Sequence, residues 1–311
     1  MTQNRNLIIT GATGYFGQHL IEGLSKCSNY SISIITCDRK KAKTVFSHQN
    51  MEIFNYLDVK NGRLKFDNID FLIHLGFTRE KYAYDKIAAS LKNTNTLFNQ
   101  AMLQHIKAIV NISSQNVYGL NKPPFWKEKD KLFPELPYGM AKFASELILQ
   151  GVKLKDPHIK GTSVRLTALA GGSILLNDNE LIYKLVDQIV NQQQIIIYGG
   201  QQRFERLDVH DAVRAIIKLI NMPPEEWKPV YNLGSNMNYS LLEITEKVLK
   251  ISEEFNLDYP HQLVIEKNED GTAYGMHSRL FMNQMDWSPL NQLDDIIRST
   301  FIKKLSDKTG E

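Results

Sequence analysis

The sequence predicts an α/β chain in which a doubly wound parallel sheet is joined to a smaller, discontinuous C-terminal α/β domain. Three observations predict it. Short apolar runs alternate with longer stretches of helical period through the first half, as parallel strands joined by crossover helices do. A glycine-rich turn, "TGATGYFG", follows the first apolar run directly. Beyond Arg165 the texture changes to segments rich in Asn, Gln and Asp.

In order, "NLIIT" (Asn6 to Thr10), "SISIIT" (Ser31 to Thr36), "FLIHL" (Phe71 to Leu75), "AIVNIS" (Ala108 to Ser113) and "GTSVRL" (Gly161 to Leu166) read as strands buried on both faces. Helices are expected near Asp178 to Gln192 and Leu241 to Glu254, around short strands. "ERLDV" and "PVYNLGS" read as strands by which the chain returns to the first domain before leaving it again. The expected first domain is therefore 1–166 plus about 204–235, and the second is about 167–203 and 236–311. The tail after Lys304 reads as frayed and charged.

Over 311 residues, 37 basic and 34 acidic side chains give a net charge of +3. The one basic cluster, Arg39, Lys40, Lys41 and Lys43, is too small for a nucleic-acid footprint. Cys27 and Cys37 are too few for a disulfide framework and lack metal-ligand neighbours, which fits a reducing, cytoplasmic setting and no metal site. No apolar run approaches the roughly 20 residues of a membrane helix, and no signal-peptide core precedes the first strand.

The glycine turn places Gly11, Gly14 and Gly17 where a strand becomes a helix, with Thr13, Tyr15 and Phe16 between them. Such a Rossmann-like turn lets a pyrophosphate approach the backbone and meet the N–H groups of the helix start. Asp38 ends the second strand and suits the adenosine ribose hydroxyls, favouring NAD; the adjacent Arg39 keeps NADP as the alternative. Asp58 and Val59 follow the next strand, within reach of an adenine, although Asp58 also reads as a solvated turn residue. Leu75 and Gly76 end the "FLIHLG" strand at the same edge. His74 and His210 read as hydrogen-bonded structural histidines, and Asp208 and Asp211 as residues that orient a strand and cap a helix.

Tyr-x-x-x-Lys occurs four times, at Tyr56/Lys60, Tyr82/Lys86, Tyr118/Lys122 and Tyr138/Lys142. A catalytic pair needs both side chains on one helix face. Tyr118 is followed by Gly119 and a proline pair, Tyr56 sits where a strand ends, and Tyr82 precedes the "AIVNIS" strand. Tyr138 opens the helical stretch "YGMAKFASELILQG" just beyond that strand. The strand itself delivers Ser113 and Ser114 to the carboxyl edge of the sheet, where ligands bind in this architecture. A phenol needs a neighbouring cation to serve as a base near neutral pH, and Lys142 supplies one.

Read together, "GATGYFG", "DFLIHLG", "SSQNVYG", "YGMAK", "RLDVHDAVRAI", "VYNLGS" and "DWSPL" resemble the extended short-chain dehydrogenase/reductase family, in its NAD-dependent epimerase/dehydratase branch. The resemblance covers nearly the whole chain. It implies Tyr138 as acid/base, Lys142 as its partner and ribose ligand, and Ser114, three before Val117, as the substrate-hydroxyl ligand. The dehydratases of the branch carry Asp and Glu after that serine; Gln115 and Asn116 stand here, and amides do not carry protons at neutral pH.

What the resemblance then implies is an NAD-dependent nucleotide-sugar epimerase acting on a UDP-hexose or UDP-N-acetylhexosamine at C4 through a transient 4-keto sugar. The alternatives are a keto-sugar or other carbonyl reductase and a non-catalytic dinucleotide sensor. Gln115, Asn116, Arg203, Arg206 and Arg279 are the further candidate substrate ligands, Phe204 standing where the family's usual arginine falls and Ala168 where its asparagine does. A homodimer through helices near Tyr82 to Leu103 and Tyr138 to Gln150 is the family expectation.

Overall fold

The computed structural model describes residues 4–66, 68–120, 124–172, 180–257 and 259–309. In chain order the elements are β1 (Arg5–Thr10), α1 (Tyr15–Ser25), β2 (Tyr30–Ile35), α2 (Arg39–Val45), β3 (Glu52–Phe54), α3 (Tyr56–Lys60), β4 (Phe71–His74), α4 (Tyr84–Leu103) and β5 (Ala108–Ser114). A 3-10 turn (Gln115–Val117) leads to α5 (Pro137–Lys155), β6 (Lys160–Leu166), β7 (Ala168–Ala170), α6 (Leu181–Val190), β8 (Ile196–Tyr198), β9 (Arg203–Asp208) and α7 (Val209–Asn221). Then come β10 (Val230–Leu233), β11 (Asn238–Ser240), α8 (Leu241–Ser252), β12 (Val264–Glu266), α9 (Arg279–Met285) and α10 (Leu293–Thr309).

The chain divides into two compact units. One comprises Met1–Asn121, Glu128–Leu166 and Val213–Asn232. Its seven-stranded sheet has the order β10-β6-β5-β4-β1-β2-β3. The chain winds outward from β1 in both directions, so β1 and β4 flank the switch point at which a crevice opens beyond the strand ends. The register is parallel, with Thr10 beside His74 and Ser114 beside Leu166. Ile8, Leu72 and Ile109 of the sheet pack with Leu97, Phe98 and Ala101 of α4 and Leu149 and Val152 of α5, all buried. Each such large apolar side chain is worth about 1.5–3 kcal/mol of transfer free energy, so α5, which carries Tyr138 and Lys142, and α4 beside it are fixed by core packing.

The other unit comprises Lys122–Lys127, Thr167–Ala212 and Leu233–Glu311. It holds a three-stranded sheet, β11-β9-β7, and a parallel pair, β12-β8. Its core joins Ile182, Val186 and Ile189 of α6 with Ile244 and Val248 of α8 and Ile297 and Phe301 of α10.

Three expectations need correction. The strand containing "ERLDV" does not return to the first sheet: β9 pairs with β7 and β11, and the chain rejoins the large sheet only at β10. The helix expected from Asp178 begins at Leu181, and Asp178 itself lies outside the described residues. From Leu305 to Thr309 the tail is the last turn of α10, held by the Lys308 Nζ donating to the Val190 carbonyl at 3.1 Å and by a Lys303–Asp307 ion pair, Gly310 and Glu311 lying outside the described residues. Among the described residues no helix is long and apolar enough to cross a membrane.

Candidate active site

The glycine turn is built by steric exclusion. Gly11 has φ +69°, and a Cβ there would lie 2.8 Å from the backbone of Leu75 and Gly76. A Cβ on Gly17 would lie 2.3 Å from the Gly11 carbonyl oxygen. The strand end, the turn and the start of α1 are therefore in backbone contact. At Gly14, the N-cap of α1, no side chain caps the helix, and its first turn carries no acidic residue. Uncapped N–H groups at a close-packed glycine turn fit a dinucleotide pyrophosphate. Thr13, Tyr15 and Phe16 are partly buried around it.

Beneath the turn lies a hydrogen-bonded strut. The Thr10 hydroxyl oxygen accepts from the N–H groups of Leu75 (3.1 Å) and Gly76 (2.9 Å) and meets His74 Nδ1 at 2.8 Å. His74 Nε2 lies 2.9 Å from the Thr94 hydroxyl, whose proton is donated to the Ser90 carbonyl. This arrangement makes Nε2 the protonated nitrogen and Nδ1 the acceptor. Burial, assisted by Lys142, lowers the His74 pKa to about 3, so the ring is neutral. It is structural, linking β1, β4 and α4. His210, by contrast, is exposed at the start of α7.

At the adenosine end, Asp38 caps α2 by accepting from the Lys41 N–H at 3.0 Å and is exposed. Asp58 is not a solvated turn residue. It is buried in α3, completing a capping box with Asn55, and its carboxylate pairs with the Arg39 guanidinium. Val59 beside it is core.

At the carboxyl ends of β5 and β6, Ser113 and Ser114 diverge because alternate residues of a strand face opposite ways. The Ser113 hydroxyl donates to Glu146 at 2.5 Å. Glu146 is buried and bidentate with Arg165, which also donates to the Tyr118 hydroxyl at 2.9 Å. The Tyr118 O–H in turn donates to Asn232 at 2.6 Å. Ser113 and Tyr118 are thus committed to a buried network. Ser114 instead shares a hydrogen bond with the Tyr138 phenol and accepts from the Asn116 N–H at 3.2 Å.

Gly139 makes that meeting possible. A Cβ there would stand 2.5 Å from the Asn116 carbonyl oxygen, so the turn carrying Ser114, Gln115 and Asn116 packs directly on the first turn of α5. Pro137, preset for a helix start, opens α5. One turn on, Lys142 is buried, and its ammonium donates to the Ile112 carbonyl at 2.8 Å. Of the other Tyr-x-x-x-Lys tyrosines, Tyr82 is exposed ahead of α4, Tyr56 is in α3 with its phenol bonded to Thr10, and Lys122 lies outside the described residues.

The electrostatics differ from the simple pairing expected. Burial raises the Tyr138 pKa to about 12; the groups pulling it down are first Arg79 and then Ser114. Burial lowers Lys142 to about 7, opposed by Glu146. The reason is geometric: the Lys142 ammonium is turned to Ile112 and stands 5.9 Å from the Tyr138 ring centre. Arg79, in the segment after β4, escaped the sequence reading. Its signal was position, since that segment leaves the same sheet edge.

In the second unit, Arg206 is engaged by Glu180 at 2.9 Å with both side chains largely buried. Arg203 donates to Asn238 at 3.0 Å and pairs with Glu243 at 3.5 Å. Arg279 is exposed at the first position of α9. Asp208 accepts from the His210 N–H at 2.8 Å, capping α7, whereas Asp211 anchors a loop by accepting from the N–H groups of Leu290 and Asn291. Among the described residues no group of three or more His, Cys, Asp and Glu is placed to hold a metal ion. A cavity of about 300 Å³, lined in part by Arg5, Asp70, Lys107 and Lys160, opens at the amino ends of the strands, away from Tyr138.

Comparison with known proteins agrees with this layout. The chain is 25% identical over 310 residues to the dTDP-4-dehydro-6-deoxyglucose reductase of Escherichia coli, covering 94% of this chain and 95% of that one. It is 24% identical to the UDP-glucose 4-epimerase of Lactobacillus helveticus, covering 95% and 96%. The fold matches the UDP-glucuronic acid 4-epimerase of Bacillus cereus in complex with NAD with a TM-score of 0.83, at 19% identity over 98% of both chains. The model of the NAD dependent epimerase/dehydratase family matches residues 7–234. The chain is an enzyme of the NAD-dependent epimerase/dehydratase family.

Proposed function

We propose that this enzyme is a nucleotide-sugar 4-epimerase acting on a UDP-hexose or UDP-N-acetylhexosamine. The observation that carries the reading is the Ser114–Tyr138 hydrogen bond, with Lys142 one turn along α5 and amides, not acids, at Gln115 and Asn116. The pair can bind a carbinol and move its proton, while the additional acid and base that removal of water demands are missing at those two positions.

Ser114 accepts or donates a hydrogen bond to the reacting hydroxyl and aligns it with the phenol. Tyr138 removes the carbinol proton and later returns one to the carbonyl oxygen. Its phenolate is favoured by Arg79 and by the Ser114 hydrogen bond, and Lys142, poised near neutrality, is the third group that supports it. NAD, when bound, supplies the hydride acceptor and adds positive charge to the site. The residues that would hold it are the backbone of Gly11 to Gly17 at the pyrophosphate, Asp38 at the ribose hydroxyls, Leu75 and Gly76 at the end of β4, and Tyr138 and Lys142, Val59 being fully buried in the core. The Arg39–Asp58 pair supports NAD over NADP, because the guanidinium that would meet a 2'-phosphate is already matched by a carboxylate. Of the candidate arginines we assign the diphosphate to the exposed Arg279, since Arg206 is held by Glu180 and Arg203 by Asn238 and Glu243.

A second reading, a keto-sugar reductase, is favoured by the identity shared with the Escherichia coli reductase along almost the full chain. Releasing the dinucleotide by denaturation, identifying it, and following native enzyme with UDP-glucose, UDP-galactose and their N-acetyl forms separates the two. Interconversion without net reduced cofactor supports the epimerase; consumption of reduced cofactor only when a ketone is supplied supports the reductase.

A further inference from the structure

The segment leaving β4 is pinned on both sides of Phe77. The N–H groups of Leu75 and Gly76 donate to Thr10, and that of Thr78 donates to the Ser90 hydroxyl at 3.1 Å. Gly76 leaves no slack, since a Cβ there would lie 2.8 Å from the Tyr56 hydroxyl oxygen and 2.9 Å from that of Thr10. Held between these anchors, the partly buried Phe77 ring meets both members of the pair. The Lys142 ammonium stands over it at 4.5 Å from the ring centre, and the Tyr138 ring packs against it edge to face, with centres 6.1 Å apart and planes at 78°.

We infer that Phe77 is a positioning residue of the catalytic pair: its ring face holds the Lys142 ammonium by cation–π attraction while its contact with Tyr138 fixes the phenol, so an aromatic ring at this position, not merely an apolar one, keeps the pair charged and aligned. This rests on the reading of Tyr138 and Lys142 as the acid/base pair.

The ring acts on Lys142 in two opposed ways. It excludes water, which disfavours the ammonium, and its quadrupole attracts the ammonium. The other groups around the pair are Glu146 on α5, which favours the cation; Arg165 on β6, matched by Glu146; His74 on β4, neutral; and Arg79 after β4, which acts on the phenol. With Lys142 titrating near neutrality, a small change in its surroundings changes its charge markedly at working pH.

The test reads Lys142 directly. In the full chain as purified, trace acetylation with acetic anhydride across pH, followed by peptide mass analysis, gives the titration midpoint of Lys142. Phe77→Leu keeps the apolar volume and removes the ring, so the midpoint should fall by about half to one and a half pH units. Phe77→Tyr keeps the ring and should leave it in place, whereas Phe77→Ala admits water and should move it upward. The alkaline limb of the kcat/KM profile should follow the same order, with substrate KM changing less than kcat. Midpoints that are equal in all four proteins, or that shift alike in the Leu and Tyr variants, would overturn the inference. A wild-type protein without sugar turnover would sink the epimerase reading and leave the labelling result standing.

Discussion

The phenol of Tyr138 and the hydroxyl of Ser114 are hydrogen-bonded to each other, although one lies in the first turn of α5 and the other ends β5. Tyr138→Phe removes that partner and the proton carrier while leaving the ring. Turnover should fall by about 10²- to 10⁴-fold with the dinucleotide content of the purified protein unchanged. Tyr82→Phe, altering an exposed residue ahead of α4, should turn over at the wild-type rate. Single-turnover kinetics and dinucleotide release check both.

Gly139 should resist enlargement. Gly139→Ala forces the Asn116 carbonyl, and with it the turn holding Ser114, away from α5. A displacement of that size at a reacting centre costs on the order of 10²-fold in kcat, with cofactor retained. Steady-state kinetics beside dinucleotide quantification would show it.

The Arg165–Glu146 pair is buried and bidentate. Arg165→Met leaves the buried Glu146 carboxylate without its counter-charge, with the neutral Ser113 hydroxyl still donating to it, and removes the guanidinium donor of the Tyr118 hydroxyl. It should cost about 3–5 kcal/mol of stability. Glu146→Leu combined with Arg165→Met removes both charges and should recover part of that loss. Urea denaturation of the two variants measures the difference.

His74 makes stability depend on pH. Its folded pKa, about 3, lies below its ordinary 6.5, so the unfolded chain binds the proton more readily. The resulting stability is fully present above about pH 6.5 and is lost as pH falls toward 3, at up to about 1.4 kcal/mol per pH unit. His74→Asn should flatten the decline. Denaturation midpoints measured at about pH 7.5, 6 and 5 decide it.

Asp38 should govern the choice of dinucleotide. Wild-type protein should bind NAD at least about tenfold more tightly than NADP, a difference of about 1.4 kcal/mol, and Asp38→Asn should narrow the ratio. Titration with each dinucleotide is sufficient.

Strands β1, β4, β5 and β6 of the large sheet were legible because burial on both faces demands apolar runs. Strand β2, also expected to be buried, is buried only at Ile34 and Ile35, Ser31 being exposed and Ser33 partly so. The position of Tyr138 in the first turn of α5, one turn before Lys142, was legible because helix periodicity and place relative to β5 distinguish that segment from the other three Tyr-x-x-x-Lys stretches. The capping box of Asn55 and Asp58 was also in the sequence, but burial of Asp58 depends on Arg39, nineteen residues away. Strand β9 was misassigned because local pattern identifies a strand and not its partners. Phe77 and Arg79 were missed for a related reason: their approach to α5 is set by loop hydrogen bonds to Thr10 and Ser90, which no periodicity records.

In the proposed epimerase reaction one carbon loses and regains the same hydride. UDP-glucose and UDP-N-acetylglucosamine deuterated at C4, incubated with the purified enzyme, should yield the C4 epimer with the deuterium still at C4 and no net reduced cofactor. Loss of the label from carbon, or transfer of it to free dinucleotide with accumulation of ketone, would contradict the account.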